Sequence, residues 1–371
     1  MTEKNKEWTA EINPFNWIKY CAQIPRWSEV GKDIPPAPAS VGIDPSNLCQ
    51  LECQWCNSSY IRNKNPGIIS KKALLEIADY LPNFTDHPVW GGVQAACIAG
   101  GGEPLTNPAT QDLIDRLREN GIKPGLITNG ILLDRFDLSN CEWAGVSVDA
   151  GTRETYKKLK GRDEFHHVIK NIEALVQTKG YISKPGKGHG VSYKFVMCPD
   201  NVKDIYQAAK IAKDTGCRNI HIRPYGVPYK GSKTPFSDSD IKEFRSQITK
   251  ARDLESEDFQ VYGVTHKFNN KLEVNNDFKE CYSSMFSTTF EPPTTPGDKF
   301  NATLCCDRRG DPQLTQEDTD TVLYKKFWGS QKHIDISKSI NPQKCERCIR
   351  APHNRLYEKA ILEDNLSYEF G

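Results

Sequence analysis

Three cysteines within eight residues constrain this chain more than any other feature of its sequence. Cys49, Cys53 and Cys56 follow the spacing C-x3-C-x2-C, and Trp55 precedes the last of them. Short loops seldom satisfy disulfide geometry, so thiolates this close together are better suited to hold one inorganic centre. Cysteine thiolates bind four-iron clusters, and three of them leave the fourth iron open to a ligand from outside the protein. A structural zinc site needs a fourth ligand, and the next candidate, His87, lies far outside the loop.

Composition and charge describe a globular protein. The chain has 371 residues, of which 37% are hydrophobic and 26% are charged, and its length allows one large domain or two ordinary ones. A net charge of +1 argues against a large polyanionic partner. The first residues, Met1 to Glu7, are charged, and no apolar run approaches the roughly 20 residues that cross a bilayer. We therefore expect a cytoplasmic protein with no membrane association.

Thirteen cysteines in a chain expected in the cytosol indicate metal or redox chemistry rather than disulfides. Besides the first three, a second set falls near the C-terminus: Cys281, Cys305 or Cys306, Cys345 and Cys348. Four thiolates suffice for one further centre, which can be a cluster or a zinc ion. The remaining six, such as Cys97 and Cys141, lie among apolar neighbours and are predicted to be buried small side chains.

Strand-like runs alternate with amphipathic helices from about residue 40 to residue 226. The predicted strands are 41–44, 93–99, 126–128, 145–148, 192–197 and 219–223. Helices are predicted after the capping residue Ser70, from Asn107 to Gly121, and over 165–178 and 202–215. Repeated strand–helix units predict an α/β fold with a parallel sheet and right-handed crossovers. In barrels of this kind, functional residues collect at the C-terminal ends of the strands.

Polar and glycine-rich motifs fall at those strand ends. Gly100-Gly101-Gly102-Glu103-Pro104 follows the second strand, and glycine lets a backbone approach a ligand closely. By itself this motif is equally consistent with a turn. Other candidates are Thr128 and Asn129 after the third strand, Ser147 and Asp149 at the fourth, and Arg223 at the sixth. Each of these can instead satisfy backbone groups or, for Arg223, a structural carboxylate.

The cysteine loop, followed one strand–helix unit later by the glycine motif, resembles the radical S-adenosylmethionine (radical-SAM) enzymes. The resemblance implies a partial (β/α)6 TIM-like barrel over residues 39–230, after an N-terminal extension over 1–38. It implies a first 4Fe–4S cluster whose open iron binds S-adenosyl-L-methionine. An electron from a donor such as flavodoxin or ferredoxin would then cleave this cofactor to a 5′-deoxyadenosyl radical. The cofactor contacts that it implies are Trp55, Gly101, Gly102, Glu103, Thr128, Asn129, Ser147 and Asp149.

The last third of the chain is similar to a second known module. Residues 231–276, with a polar helix and a short strand-like run, are predicted to bridge to a small α+β domain over 277–371. That domain resembles the twitch module, a shortened SPASM domain, in which Cys281, Cys305, Cys345 and Cys348 would hold a second 4Fe–4S cluster. The module's usual glycine, five residues before its hairpin cysteine, is absent, and Gly297 lies eight before Cys305. The choice between Cys305 and Cys306 therefore stays open, with Cys305 favoured. No cysteine follows Cys348, which predicts two clusters in all.

The resemblance predicts hydrogen abstraction from a small polar substrate, which is then oxidised or epimerised with help from the second cluster. Arg223 would bind the substrate, and Cys217 or the unused member of the 305/306 pair would donate hydrogen in an epimerisation. The alternatives are a ribosomally made peptide and a nucleoside or nucleobase. About forty residues precede the first strand, fewer than an independent leader-binding domain needs, which favours the small substrate. A structural zinc or cluster protein, the non-enzyme alternative, does not explain the glycine motif.

Overall fold

The computed structural model describes residues 17–178, 190–225, 236–264, 276–345 and 348–363. The strands are β1 (Ser40–Ile43), β2 (Ala95–Ile98), β3 (Lys123–Thr128), β4 (Trp143–Ser147), β5 (Gly190–Met197), β6 (Asn219–Pro224), β7 (Gln260–Gly263), β8 (Thr289–Glu291), β9 (Phe300–Thr303) and β10 (Thr315–Thr319). The helices are α1 (Ile24–Trp27), α2 (Ser59–Lys64), α3 (Lys71–Tyr80), α4 (Thr110–Glu119), α5 (Arg153–Lys160), α6 (Phe165–Gln177), α7 (Ile205–Asp214), α8 (Asp238–Arg252), α9 (Thr321–Phe327), α10 (Gln331–Ser339) and α11 (Ala351–Tyr357).

The strands form one sheet in the order β10-β9-β8-β1-β2-β3-β4-β5-β6-β7. From β1 to β7 each strand is parallel to the next, which confirms the predicted parallel α/β sheet. All six predicted strands are present. The segment predicted as a bridge adds β7 beside β6, and β8 pairs in parallel with β1, so the parallel run has eight strands rather than six. Because β7 and β10 lie at opposite edges, the sheet is an open partial barrel.

The two faces of the sheet differ in character, because successive side chains of a strand point to opposite sides. In β6, Ile220 and Ile222 are fully buried in the main hydrophobic core, whereas His221 and Arg223 lie on the other face. The crossover helices cover the core face, and each large apolar side chain buried there contributes about 1.5–3 kcal/mol. The opposite face is the barrel interior.

Two glycines make room in the barrel interior for large side chains of neighbouring strands. A Cβ atom at Gly125 would lie 2.5 Å from the indole of Trp143. A Cβ atom at Gly145 would lie 2.7 Å from Cε of Lys194. Trp143 and Lys194 therefore occupy the space that side chains at these two positions would fill.

The C-terminal strands continue the same sheet beyond β1. β8 is parallel to β1, with Gly42 beside Thr289, and a Cβ atom at Gly42 would lie 2.6 Å from the hydroxyl of Thr289. β9 and β10 follow as an antiparallel pair. The strands of the predicted twitch-like segment are therefore hydrogen-bonded into the barrel sheet.

Candidate active site

The first cysteine set lies in an irregular segment between β1 and α2. Cys49, Cys53 and Cys56 are half-buried free thiols, and burial is the main cause that raises the pKa values of Cys49 and Cys53. The segment is fixed to the C-terminal end of α5, where the carbonyls of Leu159 and Lys160 accept hydrogen bonds from backbone N–H groups of the loop, each 3.1 Å long. α5 thus determines where the three thiols lie.

The glycine-rich motif packs directly against the start of the cysteine loop. The backbone N–H of Gly102 donates to the Ser46 carbonyl over 3.1 Å, and the N–H of Glu103 donates to the Leu48 carbonyl over 2.6 Å. A Cβ atom at Gly102 would lie 2.2 Å from the Leu48 carbonyl oxygen, which is closer than atoms can approach. Glycine is therefore required here for contact with the cysteine loop itself, a reason that sequence analysis did not identify.

Glu103 connects this motif to the end of β3. Its buried carboxylate accepts hydrogen bonds from the Thr128 hydroxyl (2.6 Å), the Asn129 N–H (2.7 Å) and the Leu105 N–H (3.2 Å). Burial raises the pKa of Glu103 to about 7, against the effect of these donors. The side-chain amide nitrogen of Asn129 in turn lies 3.9 Å from the sulfur of Cys49. Three predicted cofactor-binding residues thus meet beside the first cysteine.

Asp149 is committed to a buried ion pair. It has a left-handed backbone (φ 62°), and its carboxylate pairs with Lys160 and accepts the Val196 N–H over 2.6 Å. The Lys160 ammonium lies 5.7 Å from the centre of the Trp55 ring and opposes the rise of the Cys53 pKa that burial causes. Sequence analysis missed Lys160, because a lysine at the end of a lysine-rich helix carries no motif signal.

The C-terminal cysteines also come together. Asn354 joins two of their segments, because its side chain accepts the Ser283 N–H over 2.6 Å and lies 4.0 Å from the sulfur of Cys348. The Ile349 N–H donates to Asp307 over 3.2 Å, which joins the β9–β10 turn to the Cys348 segment. After burial, which is the largest cause, Cys281 contributes to the raised pKa values of three thiols: Cys305, Cys345 and Cys348.

Cys306 has different neighbours from Cys305. Burial raises the Cys306 pKa, and the strongest charges acting on it are Arg309 and Arg350. Burial also raises the pKa of Cys97 on β2 to about 11, and Asp44 and Cys306 add to this rise. Cys306 therefore lies toward the barrel interior, whereas Cys305 lies toward Cys281.

The two cysteine sets follow strands that run in opposite directions. Cys49 follows the C-terminal end of β1. β9 runs antiparallel to β8 and places its last residue, Thr303, beside Thr289, the first residue of β8. Thr289 lies beside Gly42, so the turn that carries Cys305 leaves β9 at the level of Gly42 and in the direction opposite to that of β1.

Arg309 connects that turn back to the first cysteine loop. Its guanidinium pairs with Asp44 at the end of β1, and its carbonyl accepts the Tyr60 hydroxyl over 2.8 Å. Glu291 follows in register beside Asp44. Burial and the Asp44 charge raise the pKa of Glu291 to about 8, while Arg309 opposes this rise. Sequence analysis identified none of these three charged residues.

Of the remaining predicted site residues, two lie on the barrel strands and one lies in the hydrophobic core. Ser147 is half-buried beside Lys194 in the β4–β5 register, and Arg223 is exposed at the C-terminal end of β6. Cys217 is 2% exposed, and its sulfur lies 3.6 Å from the Thr215 hydroxyl within the main hydrophobic core. The structure does not bring Cys217 together with the other site residues.

The thiols can be tested for fit to an inorganic centre. Within the described ranges, no three His, Cys, Asp or Glu side chains converge closely enough for a single metal ion. A 4Fe–4S cluster makes a different demand, since each cysteine binds its own iron. All thirteen cysteines are free thiols. Two sets of half-buried thiols, one beside the buried Lys160 cation, are compatible with clusters.

Comparison with known proteins agrees with the fold. Residues 43–181 match the Radical SAM superfamily. A probable GTP 3′,8-cyclase of Saccharolobus islandicus is 24% identical over 223 residues, covering 58% of this chain and 67% of the relative. The crystal structure of Streptococcus suis SuiB bound to the precursor peptide SuiA is similar in fold, with a TM-score of 0.58 and 15% identity, covering 87% of this chain and 71% of SuiB. Native anSMEcpe with bound AdoMet and a peptide has a TM-score of 0.52 and 17% identity, covering 85% of this chain and 88% of that one.

The partial barrel, with its cysteine loop and glycine motif, resembles the radical-SAM class of enzymes in fold. The match to the Radical SAM superfamily covers residues 43–181, which are fewer than half of the chain. In the parts of the chain that the structure describes, no helix has the length and apolar character needed to cross a membrane.

Proposed function

We propose that this enzyme holds two 4Fe–4S clusters and S-adenosyl-L-methionine, and that it oxidises or epimerises a small polar substrate in the barrel interior. The observation that carries the proposal is the position of the two cysteine sets. Cys49 follows the C-terminal end of β1, whereas β9 enters the turn that carries Cys305 in the opposite direction, from the level of Gly42. A molecule in the interior would lie between them.

We assign the cysteines of each set to one cluster. Cys49, Cys53 and Cys56 would hold the first cluster, and Cys281, Cys305, Cys345 and Cys348 would hold the second. The cofactor would bind beside the first set, at Trp55, Gly101, Gly102, Glu103, Thr128 and Asn129. When bound, these groups supply one electron and a carbon radical able to remove a hydrogen atom from an unactivated carbon.

The chain itself contributes position and charge. Glu103 holds the end of β3 against the cysteine loop, and Lys160 places a buried cation near the Cys53 thiol. The Cys306 thiol, which lies toward the interior, is a better candidate hydrogen donor for an epimerisation than the core residue Cys217. An oxidation needs no such thiol. Replacing Cys306 by alanine therefore distinguishes the two outcomes.

A nucleotide substrate is a second candidate. The probable GTP 3′,8-cyclase is named for its action on GTP and is similar over more than half of this chain. A peptide is a third candidate, because SuiB and anSMEcpe were solved with peptides bound. At 15% and 17% identity, these two structures support a shared fold and not a shared substrate.

The experiment that tests the proposal combines iron analysis with cofactor cleavage. Anaerobically reconstituted protein should contain about eight irons per chain and form 5′-deoxyadenosine under dithionite. Replacement of Cys49, Cys53 and Cys56 by alanine should abolish that product and leave about four irons. Replacement of Cys141, a core cysteine outside both sets, should change neither. Stoichiometric zinc with little iron, or product from the triple variant, would contradict the proposal.

A further inference from the structure

The interior faces of β5 and β6 carry three basic side chains in adjacent positions. Lys194 on β5 lies beside His221 on β6 in the parallel register, and Val196 lies beside Arg223. The ammonium of Lys194 is 3.4 Å from Nδ1 of His221. We call Lys194, His221 and Arg223 the basic wall.

The basic wall faces the space between the two cysteine sets. On the same strands Phe195, Ile220 and Ile222 point the other way and are fully buried in the core. The Lys194 charge acts on the Cys97 thiol of β2, so it reaches across the interior. Lys194 is half-buried, and Arg223 is exposed at the C-terminal end of its strand. The wall thus runs from inside the barrel to its mouth.

Other contacts keep the wall in place. Lys194 extends over the bare backbone of Gly145, and its ammonium lies 5.7 Å from the centre of the Trp143 ring. Lys194 and Arg223 favour an anion, since an ammonium and a guanidinium can both donate charge-assisted hydrogen bonds to it. Nδ1 of His221 can accept a hydrogen bond from the Lys194 ammonium and so help to hold it in place.

Two carboxylates of the interior pair with cations that do not belong to the basic wall. Asp44 already pairs with Arg309, and Asp149 already pairs with Lys160. Glu291 lies next to Asp44, on strands at the other side of the sheet order from β5 and β6. Asp44 and Glu291 therefore lie on the β1 and β8 side of the sheet, away from the basic wall, whereas Asp149 lies against β5 and is paired with Lys160.

We propose that the basic wall binds an anionic group of the substrate, a carboxylate or a phosphate, and so holds it between the two cysteine sets. This inference rests on the proposed function, because it assigns the same interior to the substrate. It narrows the substrate class to molecules that carry such an anion. Lys194 and His221 are new to this role, beside Arg223.

The test measures anion binding to the reconstituted protein by anaerobic calorimetry, with S-adenosyl-L-methionine saturating so that its carboxylate is not scored. The probes are inorganic pyrophosphate and succinate at constant ionic strength. We expect saturable binding of one probe, weakened roughly tenfold or more in Lys194→Gln and in Arg223→Gln. Lys210→Gln, which removes an exposed lysine on α7, is the matched control and should bind as the parent does.

The outcomes are distinct. Binding of pyrophosphate assigns the wall to a phosphate, and binding of succinate assigns it to a carboxylate. Absence of saturable binding by either probe, or equal binding by the Lys194→Gln/Arg223→Gln double variant, would overturn the inference. Loss of cofactor binding in Lys194→Gln would also overturn it, because the wall would then serve the cofactor.

Two further measurements keep these readings separate. Lys194→Arg retains the charge and should restore most of the binding, and iron content with thermal midpoint shows that each variant is folded. Formation of 5′-deoxyadenosine is measured in parallel. A parent protein that binds the anion without forming that product refutes the proposed function and leaves the basic wall standing. The opposite pattern refutes the wall alone.

Discussion

Glu291 should make the folded chain less stable as the pH rises through neutrality. Its side chain is 3% exposed, and its Oε1 atom has no hydrogen-bond partner in the described structure. Burial and the neighbouring charge of Asp44 raise its pKa from 4.5 to about 8. The folded state therefore keeps a proton that the unfolded state has already released, and stability falls between these two pH values.

The magnitude follows from the linkage between protonation and folding. Each pH unit inside the window costs up to about 1.4 kcal/mol. Between pH 5.5 and 7.5, a group with these two pKa values costs the parent protein about 2.5 kcal/mol. Glu291→Gln replaces the protonated acid with a neutral group of the same shape. Position 291 should therefore cost this variant no stability over the same pH interval.

The assay compares thermal midpoints of the two proteins, both reconstituted anaerobically, at pH 5.5, 6.5 and 7.5. At roughly 2 °C for each kcal/mol, the difference between the variant and the parent should grow by roughly 5 °C in favour of the variant. Glu103, whose pKa is also raised, and His333, whose pKa burial lowers to about 4, are present in both proteins and cancel. Glu317→Gln, an exposed change of the same charge on β10, is the control. Parallel pH curves for the parent and Glu291→Gln would refute the reasoning.

Lys160→Ala should destabilise the protein by about 3–5 kcal/mol, because it leaves the Asp149 carboxylate buried without its partner. Chemical denaturation measures this change, and an effect no larger than that of the exposed Lys158→Ala would contradict the prediction. Cys305→Ser should lower iron to about four per chain and Cys306→Ser should leave about eight; the reverse in iron analysis would exchange their roles. Glu103→Ala should weaken cofactor binding, since Thr128 and Asn129 lose their shared acceptor; an unchanged dissociation constant would show that this network does not position the cofactor.

The sequence predicted features whose signal is local. Strand runs such as 192–197 alternate core and interior side chains within a few residues, and the spacing of Cys49, Cys53 and Cys56 lies within one loop. The capping role of Ser70 is also local and is confirmed, because its hydroxyl accepts the Ala73 N–H over 3.1 Å. Each of these inferences needs no knowledge of what the rest of the chain does.

The sheet partners of the later strands could not be predicted in this way. The run 259–262 has a strand-like composition, but only the folded chain shows that β7 joins β6. Likewise, nothing near Thr289 indicates that β8 lies against Gly42, about 250 residues earlier in the sequence. Pairing across such distances depends on the whole topology.

The charged residues of the site show the same limit most clearly. Arg309 lies 265 residues from Asp44, and neither side chain belongs to a recognisable motif. Their pairing depends on β8 lying beside β1, which places Glu291 next to Asp44, and on the β9–β10 turn folding back into the interior. A guanidinium paired with Asp44 then becomes a requirement of the fold, because burial makes an unpaired carboxylate costly. The residues that connect the two cysteine sets are therefore determined by the topology, and sequence motifs identify only the sets themselves.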